Sequence, residues 1–440
     1  MLKRKVLDQL NIWKNKANKK SLIITGARQV GKTFAVREFA KEYPYFTELN
    51  FLENPGYTRL FSGALSVEQL IKNIEFEIPG ARFEKGRTLL FLDEIQECGE
   101  ALQSLKFWAL DGRYDVIATG SALGMNFKQN VSFPVGYVEY IDMYALDFEE
   151  FLWARGITER SIEDLKESFH LYAPVSGAIH SKMVSLLKEY MVTGGMPEVV
   201  TAFCEGGIRE ADEVQRRIYR DYLNDIAHYA PADIRIKARD CYRSVPVQLT
   251  QENHKFQYSV VEKKATASKF TTSIEWLMSS YIVKKICNIK RFDYPLKAFS
   301  DESNFRLYMT DIGLLVSTFD FSLKQAILAD EEMENPTVNI VLGLAKGGLY
   351  ESLVADMLIK GGHKDIYFYK EPKNTSEIEF VLEGEEGILP IEVKAGRKKA
   401  NSLNKILESD RIKRGWKLSL QNAGVSGKRV TLPIYMLMFL

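Results

Sequence analysis

Short apolar runs alternate with helical patterns over the first third of the chain. The runs are Ser21–Thr25, Thr47–Phe51, Thr88–Leu92 and Asp115–Thr119. Residues 34–43, between the first two runs, have the spacing of an amphipathic helix. Continuous apolar strands separated by helices are typical of a parallel sheet covered on both faces. The pattern predicts an α/β domain over residues 1–145.

The pattern changes three times beyond that domain. Residues 146–232 are predicted to be mostly helical, residues 233–330 to form a small helical unit with short strands, and residues 336–440 to return to mixed α/β structure. The sequence therefore predicts a parallel-sheet core followed by three further parts.

Composition narrows the class of protein. The 440 residues are 46% hydrophobic and 27% charged, which excludes a disordered, collagen-like or disulfide-scaffold chain. A net charge of +1 excludes a uniformly basic nucleic-acid coat. Four scattered cysteines without a CxxC pair favour a reducing cytoplasm. Because apolar runs stay short of 18 residues, we expect no membrane contact and a cytoplasmic protein.

A phosphate-binding motif follows the first apolar run. The sequence GARQVGKT matches GxxxxGK[ST] and lies between a predicted strand and a predicted helix, which is the context that such a loop requires. Glycines let backbone N–H groups turn toward phosphate oxygens, and the helix N-terminus favours negative charge. We expect the nucleotide ATP to bind the loop residues Gly26, Ala27, Arg28, Gln29, Val30, Gly31, Lys32 and Thr33. Lys32 would bridge the β- and γ-phosphates, and Thr33 would hold Mg²⁺.

Two later strands end in candidate catalytic residues. Asp93 and Glu94 follow the run Thr88–Leu92, so Asp93 is predicted to bind Mg²⁺ and Glu94 to act as general base toward water. The alternative is a solvated acidic pair at a strand end. Thr119 and Ser121 end the next run and are candidates to contact the γ-phosphate or the water. Their alternative is a turn capped by hydroxyls.

At this point the chain resembles a known family. GARQVGKT, FLDEIQE (91–97), TGSALG (119–124), residues 132–152, VTGGMPEVV (192–200) and LYMTDIGLL (307–315) are similar to bacterial and archaeal AAA-type ATPases with an uncharacterised C-terminal domain. The resemblance implies an AAA+ or STAND-like ATPase core at 1–145, a helical lid at 146–232, a winged helix at 233–330 and a nuclease-like domain at 336–440.

Positive charge is concentrated in the middle of the chain. Residues 234–300 contain 13 Lys and Arg against 5 Asp and Glu, a net charge of +8. Residues 268–283 are predicted to form a helix whose apolar face leaves Ser268, Lys269 and Thr272 outward. In a winged helix the start of such a helix enters the major groove, so we expect DNA as a partner. The alternative is a solvated basic face packed against another domain.

Acidic residues recur in the C-terminal part. Residues 349–360 are predicted to form a helix with Glu351 at the edge of its buried stripe. Two strands follow as a hairpin, and their alternation places Glu379, Glu392 and Lys394 off the apolar face. One helix carboxylate, two strand carboxylates and a lysine would then converge.

This arrangement resembles the PD-(D/E)xK, or restriction-endonuclease-like, fold. The resemblance implies that Glu351 is the helix acid, that Glu379 takes the usual Asp position, and that Glu392 and Lys394 form the ExK pair. Carboxylates such as Glu379 and Glu392 would bind Mg²⁺, which activates water, and the lysine would orient or deprotonate the nucleophile. The extra methylene of Glu379 displaces a metal ligand, so cleavage is left open.

The predicted fold class is therefore α/β, a P-loop NTPase sheet with a helical lid, a winged helix and a restriction-endonuclease-like domain. The predicted function is ATP hydrolysis whose nucleotide state gates DNA contact. Two alternatives stay open, an ATP-regulated metal-dependent DNA nuclease and a nucleotide-gated DNA-binding regulator with negligible turnover. The sequence does not decide whether the chain forms a homo-oligomer.

Overall fold

A computed structural model describes most of the chain, and contacts divide it into two compact units. The described residues are 2–63, 65–121, 134–251, 254–329, 336–371, 376–384, 387–395 and 401–440. The first unit contains Lys3–Tyr144 and Ser279–Tyr281, and the second contains Ala145–Met278 and Ile282–Leu440. The motif stretches 119–124 and 132–152 extend into residues 122–133, which lie outside the described part.

A five-stranded parallel sheet forms the centre of the first unit. The strands are β1 (Ser21–Gly26), β2 (Tyr45–Asn50), β3 (Thr88–Asp93), β4 (Asp115–Ser121) and β5 (Val138–Asp142). Their order is β2-β3-β4-β1-β5, and every neighbouring pair is parallel. The predicted parallel α/β core is confirmed, and the strand β5 is an addition. β5 lies at an edge and is only half-buried, so it has no continuous apolar run to reveal it.

Helices cover this sheet through apolar stripes. They are α1 (Val6–Lys14), α2 (Lys32–Phe39), α3 (Val67–Glu77) and α4 (Gly99–Asp111). Leu70 of α3 and Leu105 and Trp108 of α4 pack into one core with Leu90 and Leu92 of β3. The hydroxyl of Ser66 caps α3 by accepting the backbone N–H of Gln69.

The second unit begins with helices. They are α5 (Phe148–Ala154), α6 (Glu159–His170), α7 (Gly177–Thr193), α8 (Pro197–Gly206), α9 (Ile208–Tyr229), α10 (Arg235–Leu249), α11 (Tyr258–Val261) and α12 (Ala267–Ser279). Asp147 and Glu150 form a reciprocal capping box that fixes the start of α5. Residues 146–232 are thus largely helical.

One mixed sheet runs through the rest of the second unit. Its strands are β6 (Val283–Ile289), β7 (Ser300–Met309), β8 (Ile366–Lys370), β9 (Glu377–Gly384), β10 (Gly387–Val393), β11 (Gly415–Ser419), β12 (Gly424–Ser426) and β13 (Arg429–Pro433). The order is β12-β13-β11-β10-β9-β8-β6-β7. Because β6 pairs with β8, strands from the predicted winged helix and the predicted nuclease-like domain share this sheet.

Four helices pack around this sheet or beside it. They are α13 (Ile312–Val316), α14 (Phe321–Ala329), α15 (Pro336–Lys360) and α16 (Asn401–Leu407). Residues Val338–Lys360 of α15 are long and apolar enough to cross a membrane by length and composition, with a mean hydropathy of 1.2. Within the unit 56% of that stretch is buried, as in the core helix of a globular domain. The expectation of no membrane contact stays a prediction.

A buried ionic network ties α15 to the two glycine-containing motifs. Lys360 Nζ lies 3.0 Å from Asp311 and 2.8 Å from Asp356, and it donates to the hydroxyl of Tyr190. Asp311 also accepts the backbone N–H of Gly195 at 2.7 Å. A Cβ at Gly195 would lie 1.9 Å from the carbonyl oxygen of Leu146, so only glycine fits there. The motifs 192–200 and 307–315 therefore meet at one buried junction.

Candidate functional site

The phosphate loop lies between β1 and α2, where two glycines are required. Gly26 has a φ of +154°, and a Cβ on it would lie 2.1 Å from the carbonyl oxygen of Met143. Gly31 has a φ of +94° and caps the N-terminus of α2 in the left-handed conformation. The predicted nucleotide-binding residues Gly26, Ala27, Arg28, Gln29, Val30, Gly31, Lys32 and Thr33 all lie in this turn or at the start of α2.

Lys32 is held inside the loop. Its Nζ donates to the carbonyl oxygens of Gly26 at 3.0 Å and Ala27 at 2.7 Å. Burial lowers the pKa of Lys32 to about 8, although Glu94 and Asp93 oppose that shift. Nearby negative charge therefore stabilises the protonated form of this amine, and phosphate oxygens would do the same.

Asp93 ends β3 and is surrounded by neutral donors. Its Oδ2 accepts from Thr33 Oγ1 at 2.9 Å and from Asn50 Nδ2 at 3.1 Å, and its Oδ1 accepts from the hydroxyl of Thr119. Burial raises the pKa of Asp93, while the hydroxyls of Thr119 and Thr33 lower it. A carboxylate beside a hydroxyl at a helix start is the oxygen donor set that Mg²⁺ prefers, so Asp93 and Thr33 fit this ion.

Glu94 follows at the edge of the same site. Its backbone is left-handed, with φ +54° and ψ +46°, and its N–H donates to Asp93 Oδ1 at 3.1 Å. Its carboxylate accepts from Gln96 Nε2. A non-glycine residue in this region of backbone space carries strain, which is concentrated at functional sites.

The structure describes Thr119 and Ser121, the two candidates to contact the γ-phosphate or the water, to different extents. Thr119 is buried, and its hydroxyl is used on Asp93. It therefore positions the carboxylate of Asp93, and its contact with a γ-phosphate stays a prediction. Ser121 is the last residue of β4, and its side chain lies outside the described part.

Sequence reasoning missed two residues of this site. Asn50 ends β2 beside Asp93, and a polar residue closing the strand next to β3 was a usable signal. Arg4 is buried and donates to the carbonyl oxygens of Val30 at 2.8 Å and Tyr144 at 2.7 Å. Its partners lie 26 and 140 residues away, so no local pattern indicates its role.

The predicted acidic residues of the second unit also come together. Lys394 Nζ lies 3.2 Å from Glu379 Oε1 and 3.0 Å from Glu392 Oε1. The antiparallel register pairs Ile391 with Phe380, so the next position sets Glu392 across from Glu379. All three carboxylates are buried, those of Glu351, Glu379 and Glu392. We call these three residues with Lys394 the acidic cluster.

Two further basic side chains reach the acidic cluster. Glu351 Oε2 accepts from Arg306 Nη1 at 3.1 Å and lies 2.8 Å from Nδ1 of His254. Arg306, which is 1% exposed, also pairs with Glu377 and lies over the ring of Phe368. Sequence reasoning missed both groups, because they lie 45 and 97 residues from Glu351.

The pKa values of two carboxylates in the acidic cluster shift in opposite directions. Burial raises the pKa of Glu379 to about 7, and Glu351 and Glu392 add to that shift. Burial would also raise the pKa of Glu351, but His254 and Arg306 outweigh it and hold that pKa below its usual value. The protein thus supplies its own counter-charges here.

The arrangement of the acidic cluster does not fit a metal site. Within the part of the chain that the structure describes, no group of three or more His, Cys, Asp or Glu side chains is placed to hold a metal ion. Glu379 and Glu392 share Lys394, while Glu351 faces Arg306 and His254. A divalent cation would have to displace these partners.

Family models match three segments of the chain. Residues 18–152 match a family described as AAA domain, residues 184–325 a domain of unknown function (DUF8612), and residues 346–436 another domain of unknown function (DUF4143). Together with the parallel sheet and the phosphate loop, the first match shows that residues 18–152 are similar to the AAA domains of ATPases.

Similar solved structures are distant. The Walker-type ATPase PABY2304 of Pyrococcus abyssi is 14% identical with a TM-score of 0.42, over 72% of this chain and 96% of that one. The ORC1 protein of Aeropyrum pernix, solved in complex with DNA, is 13% identical with a TM-score of 0.28, over 75% and 93%. Cdc6p from Pyrobaculum aerophilum is 12% identical with a TM-score of 0.25, over 74% and 93%. No curated protein matches by sequence.

Proposed function

We propose that this protein is an ATP-hydrolysing switch whose nucleotide state gates DNA contact by its middle and C-terminal parts. The observation that carries the proposal is the contact between Thr33 and Asp93, 2.9 Å apart beside the buried Lys32. It joins the start of α2 to the end of β3, where a phosphate loop meets its acidic strand.

Each residue of the loop has a role in this proposal. Thr33 and Asp93 would hold Mg²⁺, which neutralises phosphate charge when bound. Lys32 exchanges its bonds to the carbonyls of Gly26 and Ala27 for bonds to phosphate oxygens. Glu94 accepts the proton of the attacking water. Among the contacts that the structure describes, its carboxylate accepts from Gln96 and forms no ion pair, so it can take up that proton.

Support for DNA contact comes from α12 and the segment before it. Phe270 and Leu277 are buried, whereas Ser268, Lys269 and Thr272 are exposed at the start of the helix. Lys263 and Lys264 are also exposed immediately before it. Lys269 contacts Glu262 at 2.6 Å in an exposed pair, which phosphate oxygens can replace at little cost.

Two lysines of β6, the strand after α12, already have protein partners. Lys284 donates to the carbonyl oxygen of Lys364 at 2.9 Å, and Lys285 pairs with Glu302. Lys290 and Arg291 follow β6 and are exposed. The start of α12 and this later pair are therefore the residues that we assign to DNA.

The test is DNA binding by the full chain in three nucleotide states. We expect the affinity for duplex DNA to differ between a non-hydrolysable ATP analogue, ADP and no nucleotide. The double variant Lys263→Ala with Lys264→Ala should weaken binding and reduce the salt dependence by about two counterions. The matched control replaces two exposed lysines of the first unit, Lys72 and Lys85, with alanine. Equal DNA affinity in all three states would contradict the gating.

The predicted nuclease alternative has the convergence of Glu379, Glu392 and Lys394 in its favour. Against it, Glu351 faces Arg306 and His254, so a metal ion would have to displace them. We expect no cleavage of duplex or single-stranded DNA with Mg²⁺ or Mn²⁺, with or without ATP. Cleavage that disappears in Glu392→Gln would restore the alternative.

ATP turnover tests the regulator alternative. This alternative predicts that wild type and Glu94→Gln hydrolyse ATP equally slowly.

A further inference from the structure

Three residues of the middle part of the chain belong to the first unit. Ser279–Tyr281 lie in that unit, although Met278 and Ile282 on either side lie in the second. They join the end of α12 to the start of β6. Tyr281 has a φ of +59°, which a bulky side chain adopts only where its contacts hold it.

The hydroxyl of Tyr281 reaches the residue before the phosphate loop. It donates to Asp142 Oδ1 at 2.6 Å, and Thr25 Oγ1 donates to the same oxygen at 2.9 Å. The two hydroxyl oxygens are 3.3 Å apart. Thr25 precedes Gly26 in β1, so one carboxylate of β5 joins Tyr281 to the beginning of the loop.

The ring of Tyr281 makes a second connection. It packs against the ring of Tyr144, with centroids 5.9 Å apart. The carbonyl oxygen of Tyr144 accepts from Arg4, whose other nitrogen donates to the carbonyl oxygen of Val30 inside the loop. Tyr281 thus contacts residues that fix the loop at Thr25 and at Val30.

We propose that Tyr281 is a positioning residue that couples the phosphate loop to α12 through the bonds Thr25–Asp142–Tyr281. This proposal rests on the proposed function and names its regulation. A nucleotide that shifts the loop changes the geometry at Asp142, and the change reaches α12 along two residues of covalent chain. Because coupling between two ligands is reciprocal, DNA must change the affinity for ATP by the same factor.

The experiment compares wild type, Tyr281→Phe and Tyr140→Phe in the full chain. Phenylalanine keeps the ring and removes the hydroxyl. Tyr140 lies on the same strand as Asp142 and is 49% exposed, so it serves as the control. The first readout is the affinity for a non-hydrolysable ATP analogue with and without duplex DNA. The second is hydrogen exchange of the amides of residues 279–283 with and without the analogue.

In wild type and Tyr140→Phe we expect DNA to change the analogue affinity about 5- to 150-fold, and the analogue to slow exchange at 279–283. In Tyr281→Phe both effects should fall below twofold, with the affinity in the absence of DNA within threefold of wild type. Asp142→Ala, which removes the accepting oxygen, should reproduce this loss and provides a second variant.

The outcomes separate the two proposals. Exchange that slows equally in Tyr281→Phe and wild type overturns the role of Tyr281. Analogue-dependent protection that is lost in Tyr281→Phe, together with no effect of DNA in wild type, supports the role of Tyr281 and contradicts the DNA gating.

Discussion

Two buried sites of this protein each contain carboxylate and lysine side chains, but the groups that bond these charges differ. At the phosphate loop, Asp93 is bonded by the neutral groups of Thr33, Asn50 and Thr119, and Lys32 is bonded by loop carbonyls. In the acidic cluster, the carboxylates face protein cations instead.

The difference indicates which of the two sites has charge available for a ligand. A carboxylate held by neutral donors keeps its negative charge available for a metal ion, and a lysine held by carbonyls keeps its positive charge available for phosphate. A carboxylate already paired with an arginine has its field cancelled, and separating such a buried pair is costly. These contacts favour the phosphate loop as a binding site and the acidic cluster as an ionic junction between α15, β7, β9 and β10.

The largest expected effect is a loss of ATP hydrolysis at the phosphate loop. Glu94→Gln removes the group that accepts a proton and keeps its size, so kcat for ATP hydrolysis should fall about 100- to 10,000-fold. ATP binding should persist, because Lys32 and Thr33 are unchanged. The measurement is steady-state phosphate release beside equilibrium nucleotide binding.

The control for that variant is Glu75→Gln, which changes an exposed glutamate of α3. Its turnover should equal that of wild type. If Glu94→Gln hydrolyses ATP at the wild-type rate, then Glu94 is not the general base.

The second largest expected effect is a loss of stability when the acidic cluster loses its arginine. Arg306→Ala leaves Glu351 buried without its guanidinium partner, so the free energy of unfolding should fall by about 3–5 kcal/mol. Urea denaturation of the full chain measures the loss at the transition of the second unit. Arg291→Ala, at an exposed pair with Asp293, should cost less than about 1 kcal/mol. Equal costs for the two variants would show that the cluster is not a structural junction.

The smallest effect concerns pH and the junction of Asp356 with Lys360. Burial raises the pKa of Asp356 to about 6, above its value of about 4 in the unfolded chain. The folded state then binds a proton more tightly between these values, so the free energy of unfolding falls as pH rises from about 4 to 6. The shift corresponds to a change of about 3 kcal/mol.

Asp356→Asn should remove that part of the pH dependence, whatever its effect on stability at one pH. Asp365→Asn, at an exposed carboxylate, is the control and should retain the wild-type slope. The measurement is urea denaturation at several pH values. An unchanged slope in Asp356→Asn would assign the pH dependence to another group.

The phosphate loop and its acidic strand could be predicted because their information is local. Eight consecutive residues define the loop, and Asp93 directly follows an apolar run. The facing of Glu379 and Glu392 follows from strand alternation within a hairpin, which is also a short-range pattern.

The partners that decide how each site behaves could not be predicted. Arg306 lies 45 residues from Glu351, and Tyr281 lies 139 residues from Asp142. Such pairs arise from tertiary packing, which leaves no periodicity in the sequence. The joining of β6 to β8 is of the same kind, because parallel neighbours are set by the whole sheet rather than by a turn.

ATP turnover by matched variants of the two sites tests the central claim most directly. Lys32→Ala should lower phosphate release at least about 100-fold. Lys41→Ala, at an exposed lysine just beyond α2, and Glu392→Gln, in the acidic cluster, should stay within about threefold of wild type. Turnover that survives Lys32→Ala, or that is lost in a folded Glu392→Gln variant, would contradict the assignment of the chemistry to the phosphate loop.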